Sequence, residues 1–263
     1  MLITSAQNPK IKFIKRLLDK AAFRKEEGLT VVEGLRELTL AIKAGFQVDS
    51  VFHCPEVKIQ SANTEIQALK LPSDRLFTIT KPVFDAVAYR ENSDGVIALL
   101  KTPQKTLTDI ALSENPFLIL IEGIEKPGNL GAILRTADAA KVDAVIVCDP
   151  RTDLYNPNVI RSSVGCLFTV QVASCTNEDA FLWLNNNNIK PYAAALTAKK
   201  LYQDINFKLP SAIVMGTEAD GLTDFWLTQA EQIKIPMRGE IDSLNVSASA
   251  AVLAFEAMRQ RGF

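Results

Sequence analysis

Hydrophobic residues recur along the chain with two alternating spacings, one typical of strands and one typical of helices. In the first hundred residues, short apolar runs predict strands at 30–34, 48–53, 75–80 and 95–100. Helical spacing predicts helices before and between them, at 11–21, 35–44, 64–70 and 82–89. Strands that alternate with helices favour a mainly parallel sheet covered by helices, so the pattern predicts an α/β protein.

The second half repeats this alternation after a segment that breaks it. Residues 102–116 are polar and have no clear period, which predicts a linker between domains at 1–101 and 117–263. The unbroken apolar run Phe117–Ile121 is typical of a buried parallel strand. Further strands are predicted at 144–148, 169–173, 192–196, 212–215 and 232–235. Further helices are predicted at 132–141, 159–163, 179–186 and 244–261.

Composition narrows the class of protein without identifying a function. The 263 residues are 48% hydrophobic with a net charge of −1, which excludes a basic tail protein and a strongly acidic one. No apolar run reaches the roughly 18–20 residues of a membrane span, and residues 1–10 lack the core of a signal peptide. The four cysteines form no Cys-x-x-Cys pair, which favours reduced thiols in a cytoplasmic protein. The single histidine, His53, argues against a zinc site.

Charge is unevenly divided between the two halves. Residues 1–101 carry 15 basic and 12 acidic side chains, whereas residues 102–263 carry 14 and 18. The first predicted helix has an apolar face opposite a basic one. The basic face is either a solvated surface or a footprint for nucleic-acid phosphates. The residues that such a footprint would include are Lys10, Lys12, Lys15, Arg16, Lys20 and Arg24.

Three segments rich in glycine and polar residues follow predicted strands of the second half. The first, Glu122–Ala139, reads E-G-I-E-K-P-G-N-L-G-A-I-L-R-T-A-D-A and contains Asn129 and Arg135. Its spacing matches neither the dinucleotide-binding G-x-G-x-x-G pattern nor a P-loop. Its glycines are also compatible with a simple turn before the helix, and Arg135 with a surface salt bridge.

The second segment, Ile213–Leu222, places Glu218 just beyond the carboxyl end of a predicted strand, the edge at which α/β sheets bind ligands. The alternative role of Glu218 is a carboxylate at a helix N-terminus. The third segment, Ile235–Ala250, contains Ser243 as a candidate helix N-cap. Capping by Ser243 leaves the polar Asn245 in the first turn of this helix unexplained.

Together the three segments resemble the motifs of the SpoU (TrmH-type) RNA 2′-O-ribose methyltransferases, which belong to the knotted SPOUT class. The resemblance rests on P-G-N-L-G through Arg135, on G-T-E with G-L at 216–222, and on I-P-M through S-L-N-V-S at 235–247. S-A-Q-N-P-K at 5–10 and V-E-G at 32–34 resemble the substrate-binding domain of many members. One departure is Lys126, where the family commonly has aspartate.

This resemblance implies a fold, a cofactor and a reaction. The fold is a C-terminal α/β trefoil-knot domain with a parallel sheet, joined to a smaller N-terminal α/β sandwich similar to kink-turn-binding ribosomal proteins. The cofactor is S-adenosyl-L-methionine, whose sulfonium makes the methyl group electrophilic without a metal ion. The acceptor is a ribose 2′-hydroxyl in structured RNA. Members are typically homodimers, and the helix at 244–261 is a candidate interface.

The resemblance also implies roles for individual residues. The reaction is assigned to Arg135, Asn129, Glu218, Ser243 and Asn245. The cofactor is assigned to Leu196, Gly216, Ile235, Met237 and Leu244. Because free arginine holds its proton up to about pH 12, the arginine of the first motif is either a base in a site that weakens this hold or a stabiliser of the developing alkoxide.

Other functions fit the residues less well. A dinucleotide-binding oxidoreductase lacks its fingerprint spacing, and an open-sheet methyltransferase does not need the second and third motifs. A non-catalytic RNA-binding module is expected to have lost some of four residues that are all present: Asn129, Arg135, Glu218 and Asn245. Ribosomal RNA is the favoured substrate because of the N-terminal domain, and transfer RNA is the alternative.

Overall fold

The structure is a computed structural model that describes residues 1–57, 66, 68–89, 93–217 and 220–262. The chain divides into two compact units. The first unit contains Met1–Pro103 and Leu154–Arg161, and the second contains Gln104–Asp153 and Ser162–Phe263. The segment predicted as a linker, 102–116, thus lies mainly in the second unit, and a short later segment belongs to the first. Of the helix predicted at 64–70, residues 64, 65 and 67 lie outside the described residues, and residues 66 and 68 are helical.

The first unit contains a five-stranded sheet in the order β1-β4-β3-β5-β2. Its strands are β1 (Leu2–Ile3), β2 (Leu29–Glu33), β3 (Val48–His53), β4 (Leu76–Ile79) and β5 (Val96–Lys101). β1, β4 and β3 run parallel, but β5 is antiparallel to both of its neighbours. The prediction of a mainly parallel sheet is therefore wrong for this unit. Hydrophobic spacing indicates which face of a strand is buried and carries no information on its direction.

Among its described residues, the segment 1–103 forms the helices α1 (Pro9–Asp19), α2 (Ala21–Glu27), α3 (Leu35–Lys43) and α4 (Lys81–Asp85). α1 begins where the Asn8 side chain accepts a hydrogen bond of 2.9 Å from the backbone N–H of Lys10. The residues of its apolar stripe are fully buried: Ile11, Ile14 and Leu17. The predicted helix continues to residue 21, but the extended backbone of Lys20 separates α1 from α2.

The second unit contains a seven-stranded sheet in the order β10-β12-β9-β11-β6-β7-β8. Its strands are β6 (Phe117–Glu122), β7 (Ala144–Cys148), β8 (Val172–Cys175), β9 (Lys190–Ala194), β10 (Lys200–Leu201), β11 (Ser211–Met215) and β12 (Glu231–Lys234). Neighbouring strands in this sheet are parallel throughout, as predicted. All six residues of β6 are buried, in agreement with the apolar run at its start.

The later helices are α5 (Pro127–Ala139), α6 (Pro157–Ser162), α7 (Cys166–Thr169), α8 (Asn177–Asn186), α9 (Asp224–Gln229) and α10 (Val246–Arg261). Most of α6 belongs to the first unit. Two elements of the second half begin more than two residues away from their predicted start. α5 begins at Pro127 and not at residue 132, since proline suits the first position of a helix. The strand predicted at 169–173 begins only at Val172, because the residues before it complete α7.

Gly131 lies inside α5 for a packing reason. A Cβ atom at this position would overlap the Ser162 hydroxyl and lie 2.7 Å from the Ser163 backbone nitrogen. Any side chain would push α5 away from this segment, so the close approach requires glycine despite a cost of about 1 kcal/mol to the helix. The glycine therefore marks a helix contact and not the turn that its sequence context suggests.

The described residues include no helix that is both long and apolar enough to cross a membrane. They also hold no group of three or more His, Cys, Asp or Glu side chains arranged to bind a metal ion. All four cysteines are free thiols. The adjacent Cys175 thiol and burial both raise the pKa of Cys148, which keeps this thiol protonated at neutral pH.

The last helix, α10, packs against α5, β6 and β11. Its N-cap is Asn245, whose side chain accepts a hydrogen bond of 2.9 Å from the backbone N–H of Ser247. Most of its buried residues are small: Val246, Ala250, Leu253, Ala254 and Ala257. Small side chains allow the helix backbone to lie close to the sheet and to α5.

Arg261 fixes the end of α10. Its guanidinium donates to the backbone carbonyls of Phe207 at 2.8 Å, Asn115 at 2.5 Å, Pro116 at 3.2 Å and Leu209 at 2.8 Å. Burial lowers the pKa of the Arg261 guanidinium. These carbonyls precede β6 and β11, so the end of α10 is tied to the amino-terminal edge of the parallel sheet.

Replacement of Arg261 by alanine should lower the free energy of unfolding by about 2 to 3 kcal/mol, because four carbonyls lose a charged donor. Arg259 is the matched control, since its side chain is 68% exposed and pairs with Glu256 on the same helix. Arg259→Ala should leave the free energy of unfolding close to that of the wild type, because an exposed ion pair contributes little to stability. Urea unfolding followed by circular dichroism measures both values, and equal losses would show that Arg261 is not an anchor.

Candidate active site

A cavity of about 600 Å³ lies at the carboxyl ends of the neighbouring strands β12, β9 and β11. Residues that directly follow these strands line it, together with the segment 242–246 that leads into α10. The carboxyl edge of a parallel sheet is where α/β proteins commonly bind ligands. A cavity of this size accommodates a small organic molecule.

The residues assigned to the cofactor from the sequence all line this one cavity: Leu196, Gly216, Ile235, Met237 and Leu244. Ser243 and Asn245, which were assigned to the reaction, line it as well. These residues come from separate segments of the chain, and the fold brings them to one edge of the sheet.

The cavity walls are apolar with a few charged groups. The apolar side chains include Met215, Leu222, Leu227 and Ile233. Charged side chains on the lining are Lys126, Asp220, Lys234 and Asp242. Such a wall suits a ligand that has a flat or apolar part and a small number of polar groups.

Gly216 marks a point at which two stretches of backbone nearly touch. A Cβ atom on Gly216 would overlap the Gly221 carbonyl and the Leu222 nitrogen. The Thr217 N–H donates to the Gly221 carbonyl at 3.0 Å, and the Gly221 N–H donates back at 3.2 Å, which closes the loop between them. Only glycine permits this approach, which shapes one cavity wall. Glu218, which was assigned to the reaction, lies outside the described residues.

The first and third motifs meet at Asn129 and Asn245. The Asn245 Nδ2 donates to the Asn129 Oδ1 at 3.3 Å. The Asn245 Oδ1 also accepts a hydrogen bond of 2.6 Å from the Ser247 hydroxyl. A second cavity, of about 80 Å³, is lined by Asn129, Lys126 and Gly216 among others. The start of α5 is thus held against the start of α10 beside the main cavity.

The cap of α10 differs from the prediction. The sequence predicts Ser243 as the N-cap, but Asn245 occupies that position. The Ser243 hydroxyl instead donates to the Asp242 carboxylate at 3.0 Å. Asparagine and serine cap helices about equally well, so the sequence does not rank two candidates that lie so close together. Capping by Asn245 also explains the polar residue that capping by Ser243 leaves unexplained.

Arg135 lies on α5 but is absent from the lining of the cavity. Its side chain is exposed, and within the described residues it forms no hydrogen bond or ion pair. Six positions separate Arg135 from Asn129, which corresponds to about 240° around a helix axis. The two side chains therefore leave α5 on different faces, and the fold of one chain does not bring Arg135 to Asn129.

Lys126 directly precedes α5 and lines both cavities. Its backbone carbonyl accepts hydrogen bonds from Asn129 N at 3.1 Å and Leu130 N at 3.3 Å, which form the first turn of the helix. The side chain is exposed. A cation therefore stands at the cavity edge where the family pattern has an acid.

Four of the basic residues assigned to RNA contact are exposed: Lys10, Lys12, Arg16 and Lys20. Lys15 is half-buried. Lys12, Arg16 and Lys20 lie four residues apart and form one stripe along α1 and its C-cap. The Arg16 guanidinium lies 3.8 Å from the centre of the Phe23 ring, a contact that orients it.

The assignment of Arg24 to RNA contact is wrong. Its side chain is only 3% exposed. Its Nη1 donates to the backbone carbonyls of Leu17 at 2.5 Å and Leu18 at 3.1 Å. These carbonyls belong to the last turn of α1, where the helix supplies no partners. Arg24 therefore caps α1 from the following helix and is removed from the RNA-binding set.

Glu122 is a residue of the site region to which the sequence assigned no role. It is the last residue of β6, is 4% exposed, and accepts hydrogen bonds from Asn177 and Thr223. Its position in the sequence, directly after the apolar run of β6, could have drawn attention to it. A carboxylate in a buried strand requires hydrogen-bond partners, which indicates a specific role.

The fold and the cavity define an α/β protein whose parallel sheet carries a small-molecule site at its carboxyl edge. Comparison with known families then identifies the chain more closely. Residues 116–255 match the SpoU rRNA Methylase family, and residues 8–98 match the MRM3-like substrate binding domain. The chain therefore belongs to the SpoU rRNA methylase family, which confirms the resemblance seen in its motifs.

Known relatives are similar over nearly the whole chain. The 23S rRNA (guanosine(2553)-2′-O)-methyltransferase of Bacillus subtilis is 30% identical over 255 residues, which cover 96% of this chain and 97% of the relative. The crystal structure of an RNA 2′-O ribose methyltransferase is 37% identical with a TM-score of 0.86, and 99% of each chain is covered. An AdoMet-bound rRNA methyltransferase from Sinorhizobium meliloti is 26% identical with a TM-score of 0.88, covering 98% of this chain and 97% of that one. This likeness confirms the predicted α/β fold class, while the trefoil knot stays a prediction.

Proposed function

We propose that this chain transfers a methyl group from S-adenosylmethionine to the 2′-hydroxyl of a ribose in ribosomal RNA. The observation that carries the proposal is the cavity at the carboxyl edge of the sheet, where described residues of the second and third SpoU motifs meet. Full-length relatives named as 23S rRNA 2′-O-methyltransferases support the reaction and the substrate. The AdoMet-bound structural relative supports the cofactor.

The cavity residues fit this cofactor. Met215, Leu222 and Ile233 offer apolar surface for an adenine ring. The lining carries two carboxylates, Asp220 and Asp242, and two ammonium groups, Lys126 and Lys234, so it offers partners for both the positive and the negative groups of this cofactor. When bound, the cofactor supplies an electrophilic methyl group on a positively charged sulfur. We assign its binding to the residues predicted from the sequence: Leu196, Gly216, Ile235, Met237 and Leu244.

The polar residues around the smaller cavity then position the ribose. Asn129 and Asn245 are joined by a hydrogen bond of 3.3 Å, so the orientation of both amides is fixed at the place where the first and third motifs meet. Ser243 adds a hydroxyl to the lining of the main cavity. Fixed orientation of the acceptor oxygen is a large part of catalysis in a direct group transfer. Glu218 keeps the role in the reaction that the family resemblance assigns to it.

We assign to Arg135 the stabilisation of the alkoxide that develops on the 2′-oxygen. A guanidinium offers five N–H donors and no acceptor, which suits it to an oxyanion. The exposure of Arg135 means that it is available to an RNA or to a second copy of the chain. The proton of the hydroxyl then leaves to a phosphate or to water.

Three further properties remain part of the proposal: the trefoil knot, a cytoplasmic location and a homodimer formed through the second unit. Support for the dimer comes from Phe255 on α10, whose large apolar side chain is 42% exposed. Large apolar side chains at the surface of a helix favour a protein interface. Sedimentation velocity of the full chain measures its oligomeric state.

Arg135→Ala should lower the rate of tritiated methyl transfer from S-adenosylmethionine to ribosomal RNA by at least 100-fold, since one oxyanion donor commonly contributes that much. Cofactor affinity should stay near that of the wild type, because Arg135 does not line the cavity. Arg259→Ala, which changes an exposed arginine on α10, is the control. Wild-type turnover in Arg135→Ala would contradict the role assigned to this residue. If the wild-type protein methylated transfer RNA and not ribosomal RNA, the proposed substrate would be wrong.

We also propose that the first unit binds the RNA substrate. The match to a substrate binding domain at residues 8–98 supports this assignment, as does the exposed stripe of Lys12, Arg16 and Lys20. The three side chains carry positive charge along one line on α1, which fits the regular spacing of phosphates on a nucleic-acid strand.

The double variant Lys12→Gln with Lys20→Gln should weaken RNA binding. It should also lower the magnitude of the slope of log affinity against log salt concentration by about 1.5, because binding with two fewer phosphate contacts releases fewer counterions. Arg16 is kept because it also packs on Phe23. Lys199→Gln with Lys208→Gln, two exposed lysines of the second unit, is the control. Filter binding at several salt concentrations measures the slope, and an unchanged value would make the stripe a solvated surface.

A further inference from the structure

A buried carboxylate lies at the end of β6, next to the strand β11 that ends at the cavity. Glu122 Oε2 accepts a hydrogen bond of 2.8 Å from the backbone N–H of Thr223. Glu122 Oε1 accepts 2.7 Å from the Thr223 hydroxyl and 2.6 Å from Asn177 Nδ2. The carboxylate thus receives three donors, and no lysine or arginine among the described residues forms a salt bridge with it.

The hydrogen-bond network continues away from the cavity. Asn177 Oδ1 accepts a hydrogen bond of 2.6 Å from Trp226 Nε1. Asn177 is 8% exposed, and Trp226 is fully buried. Glu122, Asn177 and Trp226 therefore form a chain of matched donors and acceptors that is closed to water. Such a network orients its members strongly, because each unsatisfied group would cost about 1 to 3 kcal/mol.

Thr223 connects this network to the cavity. The two residues before it, Gly221 and Leu222, line the cavity and make the close approach to Gly216. The backbone N–H and the hydroxyl of Thr223 both donate to Glu122, so the wall formed by these residues is held from behind by one carboxylate. The position of the wall relative to the sheet is therefore set by Glu122.

Glu122 is also the last residue before the loop that leads to α5. Gly123 follows it with a φ of +62°, and a Cβ on Gly123 would lie 3.1 Å from the Thr217 methyl group. The loop of the first motif and the loop of the second motif thus start from neighbouring points and touch there. A shift of Glu122 would move both.

We infer that Glu122 is a positioning residue for the cofactor, one that holds the wall of Gly221 and Leu222 in its binding position through Thr223. This inference rests on the proposed function, because it takes the cavity as the cofactor site. Glu122 itself does not line the cavity. Its effect is on cofactor affinity, transmitted through the backbone of the wall.

The chemistry of the network distinguishes a carboxylate from an amide. Two carboxylate oxygens accept all three donors. In Glu122→Gln, one oxygen becomes an NH₂ group that faces the donor Nδ2 of Asn177 or the N–H of Thr223. In the double variant Glu122→Gln with Asn177→Asp, the new amide donates to the new carboxylate and to the Thr223 hydroxyl, and its oxygen accepts from the Thr223 N–H. The second oxygen of the new carboxylate then accepts from Trp226, so every pair is restored.

The test is calorimetric titration of the full chain with S-adenosylhomocysteine, with the melting temperature of each variant measured in parallel. Glu122→Gln should bind at least 10-fold more weakly than the wild type. The double variant Glu122→Gln with Asn177→Asp should return to within about 3-fold of wild-type affinity, since its hydrogen bonds are restored. Thr223→Val, which loses only the hydroxyl donor, should bind about 3-fold more weakly.

Asp143→Asn is the matched control. Asp143 is a carboxylate at the opposite edge of the same sheet, and it accepts hydrogen bonds of 2.8 Å from the backbone N–H groups of Phe117 and Ser113. Its replacement should lower the melting temperature without changing cofactor affinity. Equal loss of affinity in Asp143→Asn and Glu122→Gln would show a general effect of stability and would overturn the inference.

Wild-type affinity in Glu122→Gln would also overturn the inference while leaving the proposed function in place. Failure of the double variant to recover affinity would overturn it as well, because the exchange restores the hydrogen bonds. Absence of binding by the wild-type chain would remove the proposed function together with this inference. If Glu122→Gln does not fold, Thr223→Val and the double variant decide the outcome.

Discussion

The cavity depends on a C-terminal helix whose two ends are fixed at opposite edges of one parallel sheet. At the amino-terminal edge, Arg261 donates to four backbone carbonyls. At the carboxyl edge, Asn245 caps the helix and donates to Asn129 at 3.3 Å. Small residues between these ends let α10 lie close to the sheet. Because the helix is fixed, the segment 242–245 before it forms a cavity wall.

The opposite wall is formed by backbone, and its shape depends on two features of the neighbouring strands. Gly216, which follows β11, leaves room for Gly221 to cross it. Glu122, which ends β6, binds both polar groups of Thr223 directly after this crossing. A close contact on one side and a buried acceptor on the other thus fix the backbone of 221–223. These two contacts explain how a small-molecule site forms at the ends of strands that are themselves almost entirely hydrophobic.

Much of the fold and site follows from the sequence, and the errors have physical causes. The apolar run Phe117–Ile121 predicted a buried parallel strand because burial on both faces requires such a run. The direction of β5 was missed because periodicity carries no direction. Arg24 was misassigned because charge alone does not distinguish an exposed cation from one that caps a helix. Glu122 was missed because its partners, Asn177 and Thr223, lie far along the chain and meet it only after folding.

The central claim is that the cavity at the carboxyl edge of the second unit binds S-adenosylmethionine. Titration of the cofactor into the wild type, Gly216→Ala and Gly239→Ala tests it most directly. A Cβ on Gly216 would overlap the Gly221 carbonyl, whereas a Cβ on Gly239 has nothing within 4 Å. Binding by the wild type and Gly239→Ala, with at least a 10-fold loss in a folded Gly216→Ala, is the expected result. Equal cofactor affinity in all three proteins, or no binding by any, would contradict the claim.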